Sequence, residues 1–83
     1  MIFLAGVMVE YGDGICTQPS YERSEGLASR NGDECKKLCL ADSNCKYATF
    51  QPDFYCYKFS EEVCKLGHKN KRVSTYKKGK HLL

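Results

Sequence analysis

The sequence predicts an α+β domain in which one short helix packs on a small antiparallel sheet and three disulfides staple the two together. Three observations lead there. The chain is short, 83 residues, and carries six cysteines. Residues 33–41 form a capped stretch whose apolar positions fall on one helical face. Two aromatic-rich runs then follow with the alternation of strands.

A chain of this length makes one domain, and its core alone is marginal because a small body buries a modest share of its surface. Such chains usually need a staple. Cys16, Cys35, Cys39, Cys45, Cys56 and Cys64 supply it, since an even number of cysteines in a short chain favours a disulfide framework over free thiols. Spacing alone does not choose among the connectivities. Disulfides persist in oxidising compartments, so a secreted or extracellular location is expected. The cysteines lack the close Cys-x-x-Cys pairs of structural zinc sites, and His68 and His81 have no ligand-like spacing. Neither a metal nor a cofactor is expected.

Met1–Val9 is almost purely apolar and far too short to span a bilayer. It reads as a clipped signal peptide, an intact but unusual one, or an apolar first strand. A signal-peptide remnant or apolar leader over 1–9 is the favoured reading, with a single domain over 10–83 that ends in a basic segment. Scattered turn residues from Gly12 to Gly32 predict mostly loop over 10–33, with one short strand near Ile15–Gln18. The helix is expected over Asp33–Ala41. Asn31 and Glu34 have capping-box spacing, and Asp33 and Glu34 put negative charge where the helix dipole favours it. Cys35, Leu38 and Cys39 share one buried face, while Lys36 and Lys37 point to solvent. Lys46–Phe50 and Phe54–Phe59 read as strands joined by a tight turn at Gln51-Pro52-Asp53. In the second strand Phe54, Cys56 and Lys58 alternate with Tyr55, Tyr57 and Phe59, so both faces carry aromatic side chains, one face meeting the helix and the other partly covered or exposed. Arg72–Lys77 is the last expected strand.

The segment Cys35–Phe59 has two helical cysteines four apart, a third opening a strand and a fourth in a Cys-aromatic-x-aromatic strand. With the closing Val-Ser-Thr-Tyr-Lys at 73–77, this resembles the PAN/apple domain family over roughly residues 15–78. The resemblance implies a helix-on-sheet fold with pairs Cys39–Cys45, Cys35–Cys56 and Cys16–Cys64. The chain departs from the longer apple domains in that Cys64 follows closely on Cys56. The family implies a non-catalytic recognition or adhesion module that binds an extracellular protein or a carbohydrate.

The residues agree in excluding enzyme chemistry. Paired cysteines leave no thiolate nucleophile, and the sequence has no phosphate-binding Gly-rich loop or metalloprotease helix motif. Two surface candidates remain. Tyr55 and Tyr57 form an exposed aromatic pair if Cys56 points to the helix, and Tyr is common at binding hot spots. The net charge of +3 divides into −3 over residues 1–57 and +6 over 58–83. Its basic run is Lys65, Lys69, Lys71, Arg72, Lys77, Lys78 and Lys80. Lys69, Lys71, Arg72 and Lys78 are the candidate contacts to a sulfated glycosaminoglycan or anionic lipid. On a strand these charges divide between two faces, and lysines also keep sheet edges soluble. Nucleic acid is not an expected partner, because the basic excess is moderate and the domain extracellular. A heparin-type binder and a secreted toxin-like or antihaemostatic protein are the alternatives.

Overall fold

The computed structural model describes residues 4–67 and 69–82, with the side chains of residues 4, 5 and 80–82 outside the description. Seven elements follow one another: β1 (Leu4–Asp13), β2 (Glu22–Ser24), α1 (Leu27–Arg30), α2 (Gly32–Ala41), β3 (Tyr47–Gln51), β4 (Tyr55–Phe59) and β5 (Ser74–Leu82). The strands form one sheet in the order β1-β5-β3-β4-β2, with every neighbour antiparallel. The α+β class and the helix-on-sheet layering stand as the sequence predicts.

The expected helix forms as α2, one residue longer at its start. Asn31 is its N-cap, and the Asn31 side-chain oxygen accepts a hydrogen bond of 2.9 Å from the Asp33 amide. The reciprocal half of the capping box is absent. The Asn31 amide instead caps the end of α1 by donating to the carbonyl of Leu27, the first residue of that helix, and Glu34 pairs with Lys37. Cys35 and Cys39 are fully buried as their phase requires. Lys37 points to solvent. Lys36 does not point freely away, because its ammonium lies 4.4 Å from the centre of the Tyr76 ring.

The 10–33 region departs from the loop expectation. It holds the end of β1, the three-residue β2 and the four-residue α1. These last two are too short to carry a periodic signal. The strand expected at Ile15–Gln18 reduces to a single bridge between Cys16 and Leu66. The final strand runs on to Leu82, beyond the expected Lys77, because β1 pairs with it along its whole length. Leu4–Val9 lie in β1, paired with β5. Met1, Ile2 and Phe3 lie outside the described residues.

The three disulfides are Cys16–Cys64, Cys35–Cys56 and Cys39–Cys45, spanning 48, 21 and 6 residues. They sit in two cores on opposite sides of the sheet. On one side, Cys35, Cys39, Cys45, Cys56, Ala28 and Ala48 pack with Met8, Leu38 and Phe50 beneath the helices. On the other, Cys16 and Cys64 cover Tyr47 and Phe59, with Ile15, Tyr57 and Leu66 around them. Phe59 is 1 % exposed. The molecule is therefore three layers: helices, sheet, and a pair of extended segments closed by the Cys16–Cys64 bridge. The aromatic residues of β4, Tyr55, Tyr57 and Phe59, share the face away from the helices, whereas Cys56 and Lys58 take the helix side and Phe54 falls in the turn before the strand.

Candidate functional site

The end of the sheet where β3 turns into β4 is built to hold one aromatic side chain in solvent. The turn is Gln51-Pro52-Asp53-Phe54, closed by the Phe54 amide donating to the Gln51 carbonyl at 3.1 Å. Asp53 has φ 66°. A positive φ at the third turn position is what a type II turn requires, with proline ahead of it. The Asp53 amide donates to the Ser29 carbonyl of α1 at 2.7 Å, which ties the turn to the helix layer. Two residues past Phe54, the Cys35–Cys56 bridge fixes the start of β4 to α2. Phe54 is nevertheless 61 % exposed.

Phe54 borders two clefts. The larger, of about 300 Å³, is lined by Glu25, Ser29, Arg30, Asp53, Phe54 and Tyr55. The smaller, of about 90 Å³, is lined by Phe54 with Gln51, Pro52, Asn70, Arg72 and Val73. The 69–73 loop that forms its far wall is ordered by Asn70, whose side chain accepts from the Arg72 amide at 3.0 Å and whose carbonyl accepts from Val73 at 2.9 Å. The end of the sheet thus offers an aromatic ring, two guanidinium groups and two carboxylates on a braced backbone. Such a set can stack on and hydrogen-bond a ligand.

The residues singled out from sequence divide. Tyr55 and Tyr57 lie on the sheet face away from the helices, half-buried, with ring centres 5.6 Å apart. Arg23 of β2 stacks over Tyr55 at 4.8 Å, and the Tyr57 hydroxyl donates to Gln51 at 3.2 Å. Tyr55 therefore belongs to the hairpin end, whereas Tyr57 is partly a core residue. Lys69, Lys71 and Arg72 are exposed on the loop before β5, and Arg72 alone among them lines a cleft. Lys78 stands apart. It lies within β5, four positions past Ser74 and about 13 Å along the strand at roughly 3.3 Å per residue, whereas Arg72 lies in the turn before that strand. Its ammonium donates to the Asp42 carbonyl at 2.7 Å on the helix side. Burial pulls the Lys78 ammonium below its ordinary pKa. Lys77 faces the opposite side and is exposed, so the basic run does not converge on one surface. The side chains of His68, Lys80 and His81 lie outside the described residues.

A second polar constellation went unread. Lys58 is 6 % exposed on the helix side of β4, beside Cys56. Its ammonium lies 2.6 Å from a carboxylate oxygen of Glu22 and 2.8 Å from one of Asp42. The same Asp42 oxygen accepts from the Tyr21 hydroxyl at 2.6 Å. The Lys58 and Tyr21 hydrogen bonds hold the Asp42 carboxyl well below the usual carboxylate range. Burial draws the Lys58 ammonium down, but its bonds to Asp42 and Glu22 outweigh that and leave it raised. Lys58 and Tyr21 both find carboxylate acceptors, and the cluster ties β2, the end of α2 and β4 together. It is a structural staple, and buried side-chain polar atoms without a partner are absent among the described residues.

No protein-family model, no curated protein and no solved structure matches this chain.

Proposed function

We propose that the protein is a non-catalytic extracellular recognition module of PAN/apple type, which binds a protein or carbohydrate ligand at the β3–β4 hairpin end. The observation that carries this is Phe54: a large apolar side chain, mostly in water, on a turn whose backbone is tied to α1 and braced by a disulfide. Leu27 and Val63 are as exposed, but Phe54 alone among these three is an aromatic ring that borders two clefts, and aromatic side chains are enriched at interfaces. Arg30 and Arg72 on the flanking clefts add donors for a polar ligand, and preformed clefts lower the cost of ordering on binding. Three disulfides are compatible with secretion, and no helix among the described residues is long and apolar enough to cross a membrane. The helix-on-sheet layout with Cys35–Cys56 and Cys39–Cys45 supports the family reading.

Oxidised and reduced protein applied to one array of glycans, sulfated glycosaminoglycans and matrix proteins tests the proposal. The expected result is a restricted hit that disappears on reduction. Binding that survives full reduction sinks the idea that the fold presents the site.

A further inference from the structure

The two edges of the sheet are unequal. β2 is three residues long and is tied down through Glu22 to the buried Lys58. β1 is ten residues long, and its only strand partner among the described residues is β5. Natural edges are protected by brevity, by charge, by proline or by a bulge. β1 has such protection in its second half alone, where Glu10 and Asp13 lie and the register breaks between Glu10 and Gly12. Leu4–Val9 contains neither a charge nor a proline. Over that half the sheet is thin: β3 pairs with β5 at Ser74–Lys77, so Gly79–Leu82 pair with β1 alone. The helix layer covers the Met8 face of this ribbon, and the Val7 and Val9 face lies away from it.

We infer that the β1 edge is a homodimer interface, pairing antiparallel with β1 of a second copy to make one continuous ten-stranded sheet. The occupant is argued from self-complementarity. In a two-fold register centred on Met8, Val7 stands opposite the second copy's Val9, and Val9 opposite its Val7. These valines share the sheet face away from the helices, where Val9 is 47 % exposed. Gly6 stands opposite the second copy's Glu10. The acidic residue of each paired stretch thus meets a glycine and not a like charge. No like charges face one another, as isologous pairing requires. The hairpin turns lie at the Asp13 end of the sheet, away from the Leu4 end, so pairing leaves both candidate ligand sites open and makes the dimer bivalent.

Sedimentation of the oxidised protein across a concentration series tests this, with V9K as the edge-blocking variant and V9T as its uncharged control. Val9 is half exposed, so both variants fold, which near-ultraviolet circular dichroism checks. The wild type and V9T are expected to reach twice the 9.4 kDa chain mass. V9K is expected to stay at the single-chain mass at the same concentrations. Amides of β1 that point away from β5 should gain exchange protection with concentration in the wild type only. A wild type that remains monomeric, a V9K that dimerises equally well, or open-ended aggregates in place of a closed dimer would each overturn the inference.

Discussion

The ammonium of Lys58 and the carboxylate of Asp42 meet at 2.8 Å across the gap between β4 and the end of α2, with the lysine almost wholly buried. Asp42 is the C-cap residue of α2, and its second carboxylate oxygen accepts from the Asn44 amide at 3.0 Å. One residue therefore ends the helix through its backbone amide, and its carboxylate braces the following turn and partners a buried charge.

Its titration sets an acid limit. The folded pKa of Asp42 is depressed, so its stabilisation is complete above the ordinary carboxylate range and is lost as pH falls below it. D42N should unfold more readily at neutral pH, because Lys58 keeps Glu22 alone as its ionic partner. It should also show a flatter loss of stability on acidification. Urea melts of both proteins at several acidic pH values check this, and parallel acid limbs would contradict it.

The alkaline side has the opposite sign. Burial, then the bond to Asp42, raises the Tyr21 hydroxyl well above its ordinary 10.0, and Lys58 is raised above 10.5. Their stabilisation is complete below those ordinary values and is lost as pH rises through the raised ones. Y21F should therefore lose part of the alkaline fall in stability while leaving the acid limb in place. An unchanged alkaline limb in Y21F would contradict the assignment.

Thr49 and Thr75 are both fully buried in the sheet, hydroxyl to hydroxyl at 2.6 Å, and Thr75 donates onward to the Gly14 carbonyl at 2.6 Å. T75V strands the Thr49 hydroxyl and that carbonyl, and should cost about 1–3 kcal/mol. T49V removes one link only and should cost less. The double variant should be less destabilised than the sum of the two, since the groups act as a chain. Strict additivity in a denaturation cycle would show that the chain carries no coupling.

Loop closure orders the disulfides. In the chain-entropy account the Cys16–Cys64 bridge, spanning 48 residues, contributes about 4 kcal/mol, and Cys39–Cys45, spanning 6, about 2 kcal/mol. Paired Cys→Ser variants should melt in that order, with the 16/64 pair the lower. The reverse order would place the second core, around Phe59 and Tyr47, outside the stabilising frame.

Much of this fold is legible in the chain. Asn31 and the two acids after it mark the start of α2, and the aromatic alternation marks β3 and β4. Elements that fail to announce themselves do so for physical reasons. An apolar run as short as Leu4–Val9 carries no clear period of its own, and its place beside β5 comes from the tertiary fold. β2 and α1 are held by neighbours, not by their own periodicity. At the site, Tyr55 is legible from alternation, whereas Phe54 reads as one more strand aromatic until the turn at Asp53 sets it in solvent. Lys58 did leave a signal: it shares a strand face with Cys56, and a lysine on a helix-facing position needs an acid. Asp42 reads as a helix stop, and its carboxylate is drawn to Lys58 only by the tertiary fold.

The claim that recognition resides at the hairpin end is tested most directly by comparing F54A with wild type on the same ligand array. Phe54 is mostly exposed, so the substitution should change stability by no more than about 0.5 kcal/mol. The predicted result is loss of the restricted hit by about tenfold or more in affinity, with K69A/K71A binding as wild type does. Unchanged binding by F54A, with signal graded by sulfation and erased by moderate salt, would contradict it and move the site to the basic 65–80 segment.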